Sequence, residues 1–141
     1  MLQLAERFAQ CLVAPLLLTF QGSLGAGKTT FIRCLLRGLG VGGAIKSPTF
    51  SLLESYTQGL MQIHHFDLYR IQDEQELEYL GFRDFFTSEA ICCIEWPQRA
   101  PACLERADIQ CSLTTVENGR RLDFNALTAS GASVLGCVMG S

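Results

Sequence analysis

The sequence predicts an α/β fold, a three-layer sandwich with a mostly parallel central sheet and an antiparallel hairpin at its C-terminal end. Three observations predict it. A short uninterrupted apolar run, Leu16 to Phe20, leads through a glycine-rich turn into helical spacing, the order of a strand buried on both faces, a tight loop and a covering helix. A second apolar run, Ala90 to Ile94, ends on an acid, Glu95, and α/β sheets carry their chemistry just beyond the carboxyl ends of their strands. Two alternating stretches, Asp108 to Val116 and Arg121 to Leu127, flank the turn residues Glu117-Asn118-Gly119-Arg120, the pattern of a hairpin at a sheet edge.

Taken in chain order, Leu2 to Val13 puts Leu2, Ala5, Phe8, Ala9 and Leu12 on one stripe and Glu6, Arg7 and Gln10 elsewhere, which predicts an amphipathic helix. Pro15 ends it. Leu16 to Phe20 is the first core strand. From Lys28 to Leu39, residues Phe31, Ile32, Leu35, Leu36 and Leu39 return to helical spacing, and Gly38, Gly40, Gly42 and Gly43 close the segment. Ser47-Pro48-Thr49-Phe50 opens an extended stretch to Tyr56, broken near Thr57-Gln58-Gly59 and resumed from Leu60 to Phe66. This reads as a hairpin or two adjacent strands, with Asp67 at the end. Asp73 to Leu80 has helix formers and an acidic first turn, Gly81 stops it, and a short second helix is expected over Arg83 to Phe86. The hairpin near the C-terminus is assigned a structural role. Residues Thr128 to Ser141 are Gly, Ala and Ser with scattered Val and Leu, so one domain is expected over 1–127, followed by a weakly structured, fraying tail over 128–141.

Composition narrows the function classes. At 141 residues and 48% apolar content the chain can build one sizeable core. Its net charge of −3 excludes a protein that coats nucleic acid by itself, so any connection to RNA runs through a partner. The apolar stretch Leu12 to Phe20 is too short to cross a bilayer, and the first residues lack the basic and apolar regions of a secretion signal. A cytoplasmic protein without membrane association is expected. The seven cysteines, at 11, 34, 92, 93, 103, 111 and 137, form no C-x-x-C pair. They are read as free thiols, mostly buried, in a reducing compartment.

Gly22-Ser23-Leu24-Gly25-Ala26-Gly27-Lys28-Thr29 matches G-x-x-x-x-G-K-[ST] between a predicted strand and a predicted helix, the context that a P-loop requires. Glycines let the backbone turn tightly and approach a phosphate closely. Successive N–H groups and the helix N-terminus then form a positive cradle. Lys28 supplies a point charge for the β- and γ-phosphates, and the Thr29 hydroxyl is a ligand for magnesium. The expected ligands are therefore ATP and Mg²⁺. Asp67 and Glu95, both at strand ends, are the candidate acids for holding the metal or its water shell. The pair His64 and His65 is assigned to packing or to solvent rather than to a metal.

The motifs at 22–30 (Gly-Ser-Leu-Gly-Ala-Gly-Lys-Thr-Thr), 47–50 (Ser-Pro-Thr-Phe), 65–70 (His-Phe-Asp-Leu-Tyr-Arg) and 94–97 (Ile-Glu-Trp-Pro) together resemble the TsaE family, also called YjeE. These are bacterial ATPases of the tRNA threonylcarbamoyladenosine pathway. The resemblance runs from about Leu2 to the hairpin ending near Leu127 and implies a P-loop NTPase sandwich. It extends the cradle to Thr30, sets Thr49 in a switch near the γ-phosphate, and makes Asp67 and Glu95 the acidic pair of magnesium binding and hydrolysis. It also makes Trp96 a neighbour of the nucleotide. The implied partners are TsaB- and TsaD-like proteins, whose complex modifies adenosine 37 of tRNAs reading ANN codons and which handle the tRNA. Weak hydrolysis by the isolated chain is implied as well. Ser23 departs from the family, which usually has an acid there, and the family's N-terminal extension ahead of the first helix is expected to be shortened.

Two other classes use the same cradle. A small nucleoside or metabolite kinase needs an arginine-rich lid, and the arginines at 33, 37, 70, 83, 99, 106, 120 and 121 form no such cluster in the sequence. A regulatory GTPase needs an Asn-Lys-x-Asp segment, and neither Asn118 nor Asn125 is followed by lysine.

Overall fold

The computed structural model of the protein describes residues 2–23, 25–46, 48 and 52–140. Its elements run α1 (Leu2–Cys11), β1 (Leu16–Gln21), α2 (Lys28–Gly38), β2 (Leu53–Gln58), β3 (Met61–Asp67), α3 (Gln75–Tyr79), β4 (Ala90–Glu95), α4 (Pro101–Arg106), β5 (Ile109–Val116), β6 (Gly119–Ala126) and α5 (Ala129–Met139). The strands form one sheet in the order β2-β3-β4-β1-β5-β6. Strands β3, β4, β1 and β5 are parallel, and β2 and β6 run antiparallel at the two edges. The predicted architecture, parallel in the middle with a hairpin at the C-terminal end, is the observed one.

The strands β1 and β4 at the middle of the sheet are mostly apolar because both their faces are covered. Leu16, Leu18 and Phe20 of β1, with Ile91 and Cys93 of β4, join the cluster built on α1, α2 and α5. Leu17, Cys92, Ile94 and Phe66 point the other way, into a second cluster with Leu77, Phe82 and Cys103 from α3, a 3₁₀ turn over Phe82–Phe85 and α4. Helices α1 and α2 meet closely: a Cβ on Gly38 would lie 2.7 Å from that of Ala9. Phe8 packs against Phe31 and Phe124 with centroids 5.9 and 4.9 Å away.

Several expectations need correction. The C-terminal segment is not a weakly structured tail but the eleven-residue helix α5. The Thr128 hydroxyl caps it, accepting from the Gly131 amide at 3.0 Å and donating to Asp108 Oδ1 at 2.7 Å. Gly131, Val134 and Val138 form its buried stripe, and a side chain on Gly131 would overlap the Asp108 carbonyl. So few large residues define the stripe that small-residue composition concealed its helical spacing. Cysteines 11 and 137, expected as free thiols, are joined in a disulfide between α1 and α5. The other five are free, and burial raises the thiol pKa of Cys92 and Cys103 to about 12. The helix expected over Asp73 to Leu80 is confined to Gln75–Tyr79, and the short helix after Gly81 is the 3₁₀ turn. Helix α4 had no sequence signal beyond Pro101 at its first position. Among the described residues, no helix is long and apolar enough to cross a membrane.

Candidate functional site

The carboxyl ends of β1, β3 and β4 meet at the N-terminus of α2, and the residues singled out in the sequence converge there. The loop from β1 to α2 depends on its glycines. Gly25 and Gly27 have φ of 80° and 103°, a region that residues with a Cβ rarely enter. A Cβ on Gly22 would fall 2.6 Å from the Leu113 carbonyl of β5. Gly27 gives α2 no side-chain cap, so the first-turn N–H groups lack intrahelical acceptors and carry the positive end of the helix dipole.

Lys28 folds back over this loop. Its Nζ donates to the carbonyl oxygens of Gly22 (2.6 Å) and Ser23 (3.0 Å) and lies 4.4 Å from the centroid of the Trp96 ring. Only 4% of the residue is exposed. Burial lowers the pKa of the ammonium from its ordinary value, against the opposing pull of Glu95 and Asp67. Trp96 holds its ring there from a left-handed backbone, φ 59°, a strained conformation for a bulky residue. Tyr69 packs beside it with centroids 4.9 Å apart.

Glu95 is buried at the last position of β4, 2% exposed. The Thr29 hydroxyl lies 2.9 Å from each of its carboxylate oxygens. From β3, His65 Nε2 donates to Glu95 Oε2 at 2.6 Å; a carboxylate only accepts, which places the imidazole proton on that nitrogen. Asp67 stands opposite Glu95 in the β3–β4 register, and its Oδ1 accepts from the Tyr69 amide at 3.1 Å. Desolvation raises the Asp67 pKa above the ordinary carboxylate value, with Glu95 adding to the rise and the Tyr69 amide, His65 and Lys28 opposing it.

A cleft of about 350 Å³ gathers Gly25, Gly27, Lys28, Thr29 and Thr30 with Asp67, Glu95 and Trp96. Gly22 and Ser23 reach it through the carbonyls that hold Lys28, and Ala26 is buried beneath the loop with its amide donating to the Ser23 carbonyl at 3.1 Å. Leu24 and Thr49 lie outside the described residues. Sequence reasoning missed four contributors. His65 was assigned to packing or solvent, yet it anchors Glu95. Its signal was two consecutive histidines inside a buried strand, one of which had to face the same side as the strand-end acids two residues on. Tyr69 and Arg70 line the cleft just beyond β3, where no periodic pattern marks them. Arg120, in the hairpin given a structural role, also lines the cleft; only its place in a turn hinted at it.

This is a mostly parallel α/β sandwich whose first strand opens through a glycine-rich loop onto a helix N-terminus, with a lysine and two carboxylates facing it. The family model for the threonylcarbamoyl adenosine biosynthesis protein TsaE matches residues 1–122. The TsaE protein of Haemophilus influenzae is 38% identical over 96% of this chain and 89% of its own. That of Bacillus subtilis is 34% identical over 78% of this chain and 69% of its own. The crystal structure of Bacillus subtilis YdiB superposes with a TM-score of 0.77 at 25% identity, covering 97% of this chain and 85% of that one. The chain belongs to the TsaE family.

Proposed function

We propose that this protein is a magnesium-dependent ATPase that acts on a TsaB–TsaD-like complex during threonylcarbamoyladenosine formation at adenosine 37 of tRNAs reading ANN codons. The family supports the pathway. The observation that carries the ATPase reading is the convergence of Lys28, the uncapped start of α2 and the Thr29–Glu95 pair on one cleft.

In this reading the loop amides and the first turn of α2 receive the phosphates. Lys28, whose ammonium is tethered to two loop carbonyls, exchanges them for the β- and γ-phosphate oxygens. Thr29, Glu95 and Asp67 fit Mg²⁺: all are oxygen donors at one cleft. The described residues hold no cluster of three His, Cys, Asp or Glu side chains that would cage a metal without phosphate, and Mg²⁺ is ordinarily bound by one or two carboxylates together with substrate phosphates and water. Bound there, the metal would neutralise charge developing on the phosphates. Glu95 is held by Thr29 and His65 and suits that positioning role. One of the two acids, Asp67 or Glu95, which stand opposite each other in the β3–β4 register, orients the attacking water. Trp96 and Tyr69 wall the nucleotide, and Thr49 acts as the γ-phosphate switch. An acidic chain acting through partners leaves the tRNA to them.

Reconstitution with TsaB- and TsaD-like partners tests this. The native chain should turn over ATP, in preference to GTP and without a phosphate acceptor, and support repeated rounds of tRNA modification. Lys28→Ala and Glu95→Ala should lose the repeated rounds. Native activity from either variant would refute the site, and acceptor-dependent turnover would point to a kinase instead.

A further inference from the structure

The C-terminal hairpin touches the glycine-rich loop directly. Arg120, the second residue of β6, donates from Nε to the Ala26 carbonyl at 3.1 Å and from Nη2 to the Gly25 carbonyl at 3.3 Å. Its register partner is Thr115 of β5, and β5 pairs in parallel with β1. The guanidinium therefore reaches the loop from the same sheet that the loop leaves. The contact at Gly22, whose missing Cβ makes room for the Leu113 carbonyl, is a second point at which β5–β6 forms a wall of the loop.

We propose that Arg120 is a positioning residue of the nucleotide site, its planar fork holding the glycine-rich loop in the form that receives phosphate. The inference rests on the nucleotide reading above. Gly25 and Gly27, at positive φ, have the widest conformational freedom of any residue type, so a loop built on them needs an external tether to keep one shape. For successive amides to converge on an anion, the carbonyls of the same peptide units must turn outward. Arg120 meets two consecutive carbonyls of the loop, those of Gly25 and Ala26. Each bond to a carbonyl also polarises the N–H of its own peptide unit, here those of Ala26 and Gly27. A lysine could supply the charge but not the two-pronged, planar match.

The test compares the native chain with Arg120→Ala, Arg120→Lys and Arg121→Ala. Arg121 is the control: its guanidinium pairs with Asp123 on the same exposed strand. Mg·ADP and a non-hydrolysable Mg·ATP analogue are titrated by calorimetry, melting temperatures are taken without nucleotide, and amide hydrogen exchange is followed across residues 22–30. Arg120→Ala should bind at least about tenfold more weakly, melt as the native chain does and exchange its loop amides faster. Arg121→Ala should match native on all three. Arg120→Lys should stay at least about threefold weaker than native, and it decides the matter if the alanine variant does not fold. Native affinity in Arg120→Ala, or full recovery in Arg120→Lys, overturns the proposal. If the native chain itself binds neither nucleotide, the nucleotide reading fails, a result distinguishable from either of these.

Discussion

Strand β4 holds two kinds of chemistry one residue apart. Ile94 and Glu95 are both sealed from solvent, at 0% and 2% exposure. Ile94 sits in an apolar cluster that asks nothing of its neighbours but shape. Glu95 needs Thr29 and His65 to hold a buried carboxylate in place. The same change occurs along β1, whose apolar run ends in a loop with positive-φ glycines and a buried lysine. The middle of the sheet is built mainly from buried apolar side chains. Its carboxyl edge carries a desolvated ammonium, a carboxyl with a raised pKa and a tryptophan in a left-handed backbone, and such features persist where function holds them against their cost.

Substitutions in the two regions should therefore behave oppositely. The largest effect is expected in mid-strand: Ile91→Ala, fully buried in β4, should lower unfolding free energy by about 3 kcal/mol. Denaturant titration checks this, and nucleotide affinity of the folded fraction should hardly change. A smaller effect of opposite sign is expected at the edge. Because folding lowers the Lys28 pKa, the ammonium disfavours the folded state at every pH below that folded value. The penalty fades as pH rises through the ordinary lysine range, where the unfolded chain also loses its proton. Lys28→Met should consequently raise stability near pH 7 by about 1 kcal/mol, with a gain that shrinks towards pH 10, while abolishing nucleotide binding. Melting curves at several pH values would show it. A destabilised Lys28→Met would mean that the lysine belongs to the structural half of the comparison.

The same division explains what could be read from the sequence. Mid-strand residues announce themselves through periodicity, so β1, α2, β4 and the β5–β6 hairpin were legible, as was the loop motif with Lys28 and Thr29. Asp67 and Glu95 were legible because a strand end is a place where chemistry gathers. His65 was not: its role depends on which strand lies beside β3, and sequence spacing says nothing of that. Arg120 reaches the loop across ninety-four residues of chain from Ala26, a distance only the sheet order closes. Helix α5 was hidden because two valines and a glycine supply its whole buried face. The link between Cys11 and Cys137 depends on α5 docking against α1, so it was hidden with the helix.

The central claim is that backbone amides of the β1–α2 loop, with Lys28, hold a triphosphate. Titration of the isotope-labelled chain with a non-hydrolysable Mg·ATP analogue, followed by amide NMR, tests it most directly. The amides of Gly25, Ala26, Gly27, Lys28 and Thr29 should shift together and saturate at one nucleotide per chain, and Lys28→Ala should abolish the response. Unmoved loop amides, with shifts confined to another face of the sheet, would contradict the account.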